Sequence, residues 1–197
     1  MDNYRIKEGY KINAKPLHFN DVSYKDEFQD EVYQLAEKLV KNEKLKTIID
    51  IGCGSGYKLI KYFANYDTIG IETEPCLSYL QSQYPNKTWI GSGENEKSFP
   101  KFKAECDLII CSDVIEHIID PQSLLDYINT FEFKYLVIST PDRERLHNLD
   151  GAPINPNHVR EWTYNEFEAY LNDNFNVIIG QHCEGQKECM VFICEKK

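Results

Sequence analysis

Asp113, Glu116 and His117 crowd one five-residue run of this chain. On an α-helix, positions i, i+3 and i+4 share a face, so the spacing predicts that all three point one way while Val114 and Ile115 point elsewhere. Two carboxylates and an imidazole could hold Mg²⁺ or Mn²⁺ and use it to acidify a hydroxyl. The same spacing also reads as a capping box, with Asp113 as N-cap and Glu116 three residues on, and that needs no metal. Farther along, His158 is a candidate general base for a hydroxyl proton and Arg160 a candidate holder of a phosphate. The plainer reading makes them a surface histidine and a salt-bridged arginine. Asp142, behind Pro141, is a third polar candidate for the acceptor. Trp162, Thr163, Glu166 and Phe167, by contrast, are accounted for by a capping box and a hydrophobic staple at a helix start.

A second constellation is Asp50-Ile-Gly52-Cys53-Gly54-Ser-Gly56, which follows the apolar run from Thr47. Glycines there allow a tight turn and close approach of backbone to ligand. About twenty residues past Gly52 stands Glu72, placed to accept hydrogen bonds from ribose hydroxyls. The third glycine comes one residue early for the pyrophosphate fingerprint, and Asp50 would repel a pyrophosphate. A nucleoside bearing positive charge fits better, and S-adenosylmethionine (SAM) has a ribose, an ammonium and a sulfonium. Alternatively the glycines merely turn a strand into a helix.

The elements that would position these residues alternate. Helical spacing runs from Tyr24 to about Asn42, and buried-strand patterns at 47–51, 68–71, 88–90, 106–111 and 135–139 are interleaved with helices at 57–65, 75–84, 114–119, 123–130 and 164–172. Strands at 177–179 and 190–194 close the chain. The link between them is too short for a crossover helix, so they pair antiparallel. This is an α/β sheet with helices on both faces. Residues 1–22 read as a loose arm or lid, and 23–197 as the domain proper.

Composition narrows the function. Lys+Arg 22 against Asp+Glu 32 gives a net charge of −10, which disfavours binding of nucleic acid or anionic membrane. The seven cysteines have no metal-ligand spacing and read as buried free thiols. Met1 to Gly9 is polar with no apolar region behind it, so a cytoplasmic location is expected. Oligomeric state is left open.

The runs IIDIGCGSG, GIE, DLIICSDVIEH and LVISTP resemble the class I SAM-dependent methyltransferases. That resemblance implies a Rossmann-like seven-stranded sheet of order 3-2-1-4-5-7-6 with the last strand antiparallel. It places Asp50 and Gly52 at the methionine end of SAM, Gly54 and Gly56 in the turn, Glu72 on the ribose, Gly93 and Glu94 beside the adenine, and Ser112 under the sulfonium. Cys53 and Thr73 complete the cofactor set. Ubiquinone-pathway O-methyltransferases carry a similar acid-x-x-Glu-His run that holds a divalent ion. QDEVYQLAEKL and NPNHVREWTYNEFEAYL resemble a subgroup from surface-polysaccharide synthesis, which implies O-methylation of a sugar or nucleotide sugar. The rivals are a phenolic or quinone-type acceptor, a non-catalytic SAM-binding partner module, and a dehydrogenase.

Overall fold

The computed structural model describes residues 3–17, 22, 28–93, 99–102 and 104–197. Seven strands form one sheet: β1 (Thr47–Ile51), β2 (Asp67–Glu72), β3 (Thr88–Gly91), β4 (Leu108–Ser112), β5 (Tyr135–Pro141), β6 (Phe175–His182) and β7 (Cys189–Lys196). Their order is β3-β2-β1-β4-β5-β7-β6. The first five are parallel, while β7 runs antiparallel to both β5 and β6.

The helices are α1 (Asp30–Glu43), α2 (Tyr57–Phe63), α3 (Cys76–Gln83), α4 (Pro121–Asn129) and α5 (Tyr164–Asn174). Alternation along the strands divides the core. Ile49, Ile51, Ile109, Leu136 and Ile138 pack with Leu124, Ile128, Phe167 and Leu171 of α4 and α5. Ile48, Leu108, Ile110 and Val137 pack with Val32, Ala36, Leu59, Phe63 and Leu80 of the other three helices. Each of these Val, Leu, Ile and Phe side chains contributes about 1.5–3 kcal/mol by leaving water. None of the helices among the described residues is long and apolar enough to cross a membrane.

Three expectations need correction. The first helix begins at Asp30, and Phe28, expected on its apolar face, is 56% exposed in a turn before it. Tyr24 lies outside the described residues. The expected helix at 114–119 is one 3-10 turn, Ile115–His117. The described part of the arm is not loose. Asn13 N–H donates to the Val159 carbonyl at 2.8 Å, Leu17 N–H to Pro156 at 2.9 Å, and the Trp162 indole to Tyr4 at 2.9 Å. Arg5 forks onto Asp173 through two 2.6 Å bonds. The arm therefore walls the loop at 155–163. All seven cysteines are free and buried, as expected.

Candidate active site

The glycine turn leaves the carboxyl end of β1. Gly52, Gly54 and Gly56 have φ of 73°, 56° and 71°, the left-handed region that disfavours side chains. A Cβ on Gly52 would also strike Val114. Glu72 spans the turn: Oε2 accepts from Gly54 N–H at 2.6 Å, and Oε1 from Thr73 N–H at 2.7 Å and the Thr73 hydroxyl at 3.2 Å. A ribose would enter this network at the same carboxylate. Gly93 is exposed beyond β3, and Glu94 lies outside the described residues.

Asp50 is fully buried. Its Oδ2 accepts from the Tyr33 hydroxyl of α1 at 2.9 Å, while Oδ1 has no hydrogen-bond partner among the described residues. Burial, helped by the nearby Glu72 charge, pushes its carboxyl up to about 7. An orphaned buried carboxylate oxygen beside a glycine turn is the feature an ammonium group would satisfy. Cys53 is buried in the turn, and burial raises its thiol well above the ordinary value, so it lines the turn as an inert neutral group.

Across from the turn, β4 ends in Ser112 and Asp113. The Ser112 hydroxyl lies 2.9 Å from that of Ser139 on β5, and Ser139 donates to Asp113 Oδ1 at 2.6 Å. Gln29 donates to the other oxygen of Asp113 at 3.0 Å. Asp113 sits at φ 52°, a left-handed position for a non-glycine residue. That twist breaks the expected helical face. Asp113 neither caps the turn nor joins Glu116 and His117. His158 takes its place.

The Glu116, His117 and His158 ligand atoms all lie within 4.8 Å of one another. The backbone assembles them: Val159 N–H donates to the Glu116 carbonyl at 2.7 Å, carrying His158 against the 3-10 turn. The two imidazole rings meet edge to face, 4.9 Å between centroids. Glu116 is fully buried. Its Oε2 accepts from Thr140 at 3.0 Å, whereas Oε1 has no hydrogen-bond partner among the described residues and lies 4.0 Å from His117 Nε2. Burial, then the charge on Asp113, raises its carboxyl well above the usual range. His117 Nδ1 lies 2.9 Å from the Asn157 carbonyl, which can only accept, so the ring proton is on Nδ1 and Nε2 faces the cluster side. One carboxylate and two imidazoles could hold a divalent ion, with the imidazoles suiting transition metals better than Mg²⁺.

The acceptor residues expected from sequence fare differently. Arg160 is buried, donates to the carbonyls of Ile118 and Ile119 at 3.1 and 2.8 Å, and stacks on Tyr4 at 4.8 Å. Its fork is spent on the backbone, so it is not a phosphate holder. Asp142 accepts from Glu144 N–H at 2.9 Å and lies 2.8 Å from His182 Nε2, shaping its own loop. Thr163 and Glu166 form the expected capping box, and Trp162 meets Phe167 at 5.4 Å. Sequence reasoning missed Tyr33, Gln29, Ser139, Thr140 and Glu161. The Ser-Thr pair closing an otherwise apolar β5 was the visible signal.

Residues 23–169 match the family model described as a methyltransferase domain. The chain belongs to that family. A probable SAM-dependent methyltransferase of Mycobacterium tuberculosis is 27% identical over 146 residues, 72% of this chain and 52% of the relative. This methyltransferase domain thus spans about half the length of the curated relatives it matches. A tRNA U34 carboxymethyltransferase of Campylobacter concisus is 35% identical over 92 residues, 43% of this chain and 31% of its own. Among solved structures, the N-methyltransferase NodS of Bradyrhizobium japonicum, in complex with S-adenosyl-L-homocysteine, superposes with a TM-score of 0.67 at 13% identity, covering 89% of this chain and 94% of that one. The methyltransferase domain of bacterial CtHen1-C superposes at 0.66 with 17% identity, covering 87% and 99%. These superpositions show the shared fold.

Proposed function

We propose that this domain is a SAM-dependent O-methyltransferase acting on a sugar hydroxyl, with a divalent ion held by Glu116, His117 and His158. The observation that carries the reading is the orphaned Oε1 of buried Glu116 facing two imidazoles at the carboxyl edge of the sheet. Asp50 and Glu72 would hold the ammonium and ribose of SAM across the glycine turn. Ser112 and Asp113 stand at the end of β4, the strand between β1 with its glycine turn and β5, and there the acceptor would meet the methyl group in line. When bound, the ion would lower the pKa of the acceptor hydroxyl, whose proton would pass to solvent water as the methyl group is transferred. A sugar offers vicinal hydroxyls that suit such an ion, and Asn155 and Asn157 supply a polar surround. The resemblance to polysaccharide-pathway enzymes supports the same acceptor class. Loss of Arg160 as a phosphate holder makes the sugar, not an attached nucleotide, the recognised part.

The test is dialysis against EDTA, then assay with SAM and a panel of sugars, nucleotide sugars, catechols and short RNAs, with and without Mn²⁺. Mn²⁺-dependent methylation of a sugar hydroxyl, lost by about 10²-fold or more in His117→Ala, is the expected result. Full turnover by the chelated enzyme would remove the metal from the mechanism. Methylation of catechol or RNA alone would replace the acceptor.

A further inference from the structure

We propose that Glu161 is a positioning residue that fixes His158 in the Nδ1–H tautomer, so that Nε2 is the ring's one acceptor and ligand atom. Its purpose rests on the metal reading above, while its geometry stands by itself. Glu161 is 1% exposed, and its Oε1 lies 2.7 Å from His158 Nδ1. A carboxylate at that distance can only accept, so the ring proton is on Nδ1. On the other side, Asn155 Nδ2 lies 2.9 Å from His158 Nε2. The amide cannot be flipped without loss, because Asn157 N–H donates to Asn155 Oδ1 at 3.0 Å. An amide NH₂ can only donate, so Nε2 presents a lone pair, which accepts from Asn155 here and which an ion would have to take from that amide. Two neighbours of opposite hydrogen-bonding character leave one tautomer.

Glu161 is itself held in place. Its N–H donates to the Tyr10 hydroxyl at 3.0 Å, and its carbonyl accepts from Arg143 at 3.1 Å. Yet its second carboxylate oxygen is buried with no hydrogen-bond partner among the described residues. Such burial is destabilising, and a neutral side chain would pack there at less cost. The one side-chain bond that the carboxylate makes among the described residues is to His158. A charged acceptor behind an imidazole orients it and raises its basicity as a ligand. His117 gets the same proton placement from a backbone carbonyl.

The experiment combines nitrogen-15 NMR of the histidine rings in metal-free protein with calorimetric titration of Mn²⁺. It uses wild type, Glu161→Gln and Glu161→Ala. His158 is expected as Nδ1–H in wild type and Glu161→Gln, and as a mixture in Glu161→Ala, where Asn155 alone opposes the Nε2–H form. Mn²⁺ affinity should fall about 10–100-fold in Glu161→Ala and less in Glu161→Gln. A folded Glu161→Ala that keeps the Nδ1–H tautomer, or binds Mn²⁺ as wild type does, overturns the proposal. If Glu161→Ala does not fold, Glu161→Gln decides. Weaker Mn²⁺ binding with an unchanged tautomer supports the role, and unchanged affinity overturns it. Wild type that takes up no Mn²⁺ refutes the metal reading, and the tautomer assignment is then judged by NMR alone.

Discussion

Asp50 shows how burial alters what a carboxylate can offer. With its carboxyl raised to about 7, the cofactor-free domain holds Asp50 largely protonated in mild acid. A cationic ammonium favours the ionised form, so below pH 7 binding must expel that proton. SAM affinity is therefore expected to fall up to tenfold per pH unit as pH drops from 7 toward 5, and to level off above 7. Calorimetry across that range checks it, and Asp50→Asn should bind weakly with a flat profile. Arg160 illustrates the reverse, a charge committed to structure. Arg160→Ala should cost about 2–4 kcal/mol in urea unfolding by stranding the Ile118 and Ile119 carbonyls, while SAM affinity in the folded fraction is unchanged. A loss of acceptor affinity without a loss of stability would contradict this. At this scale the tight glycine turn and the acid at the next strand end were legible, because glycines and acids at strand ends carry their own local signal. The cluster around Glu116 was not. The spacing of Asp113, Glu116 and His117 implies a shared face only on an α-helix, and a φ of 52° at Asp113 followed by a 3-10 turn removes that premise.

Among the elements, α5 depends on one side chain for several bonds. Glu166 closes the capping box by accepting from Thr163 N–H at 2.9 Å, and its other oxygen accepts from Arg143 at 2.7 Å and from Lys7 N–H of the arm at 2.8 Å. Thr163→Ala should therefore cost about 1 kcal/mol, as an ordinary cap does. Glu166→Ala should cost about 3–5 kcal/mol, because it strands the guanidinium of Arg143, 1% exposed, away from its partner. Equal shifts of the two urea midpoints would mean that Arg143 finds another acceptor. The capping box was readable because its partners are three residues apart. The arm was not, since its bonds to Val159, Pro156 and Glu166 span some 140 or more residues and no local pattern announces them. β5 had the same ambiguity. Its apolar run marked a strand, yet Ser139 and Thr140 hold Asp113 and Glu116 from adjacent positions, a role visible only once β4 lies alongside.

For the molecule as a whole, alternating strands and helices and the short link between the last two strands carried the topology, since parallel neighbours need crossovers and antiparallel ones do not. The placement of β7 between β5 and β6 has a consequence for synthesis. The ribosome makes both neighbours first. Until Cys189–Lys196 has emerged, β5 presents a bare edge of buried-type residues, and β6 lacks the strand that holds it to the sheet. A nascent chain stalled at that stage would expose a template for pairing with other chains. The loop bearing His158 joins β5 to α5, and the cluster it completes would be among the last parts of this domain to mature.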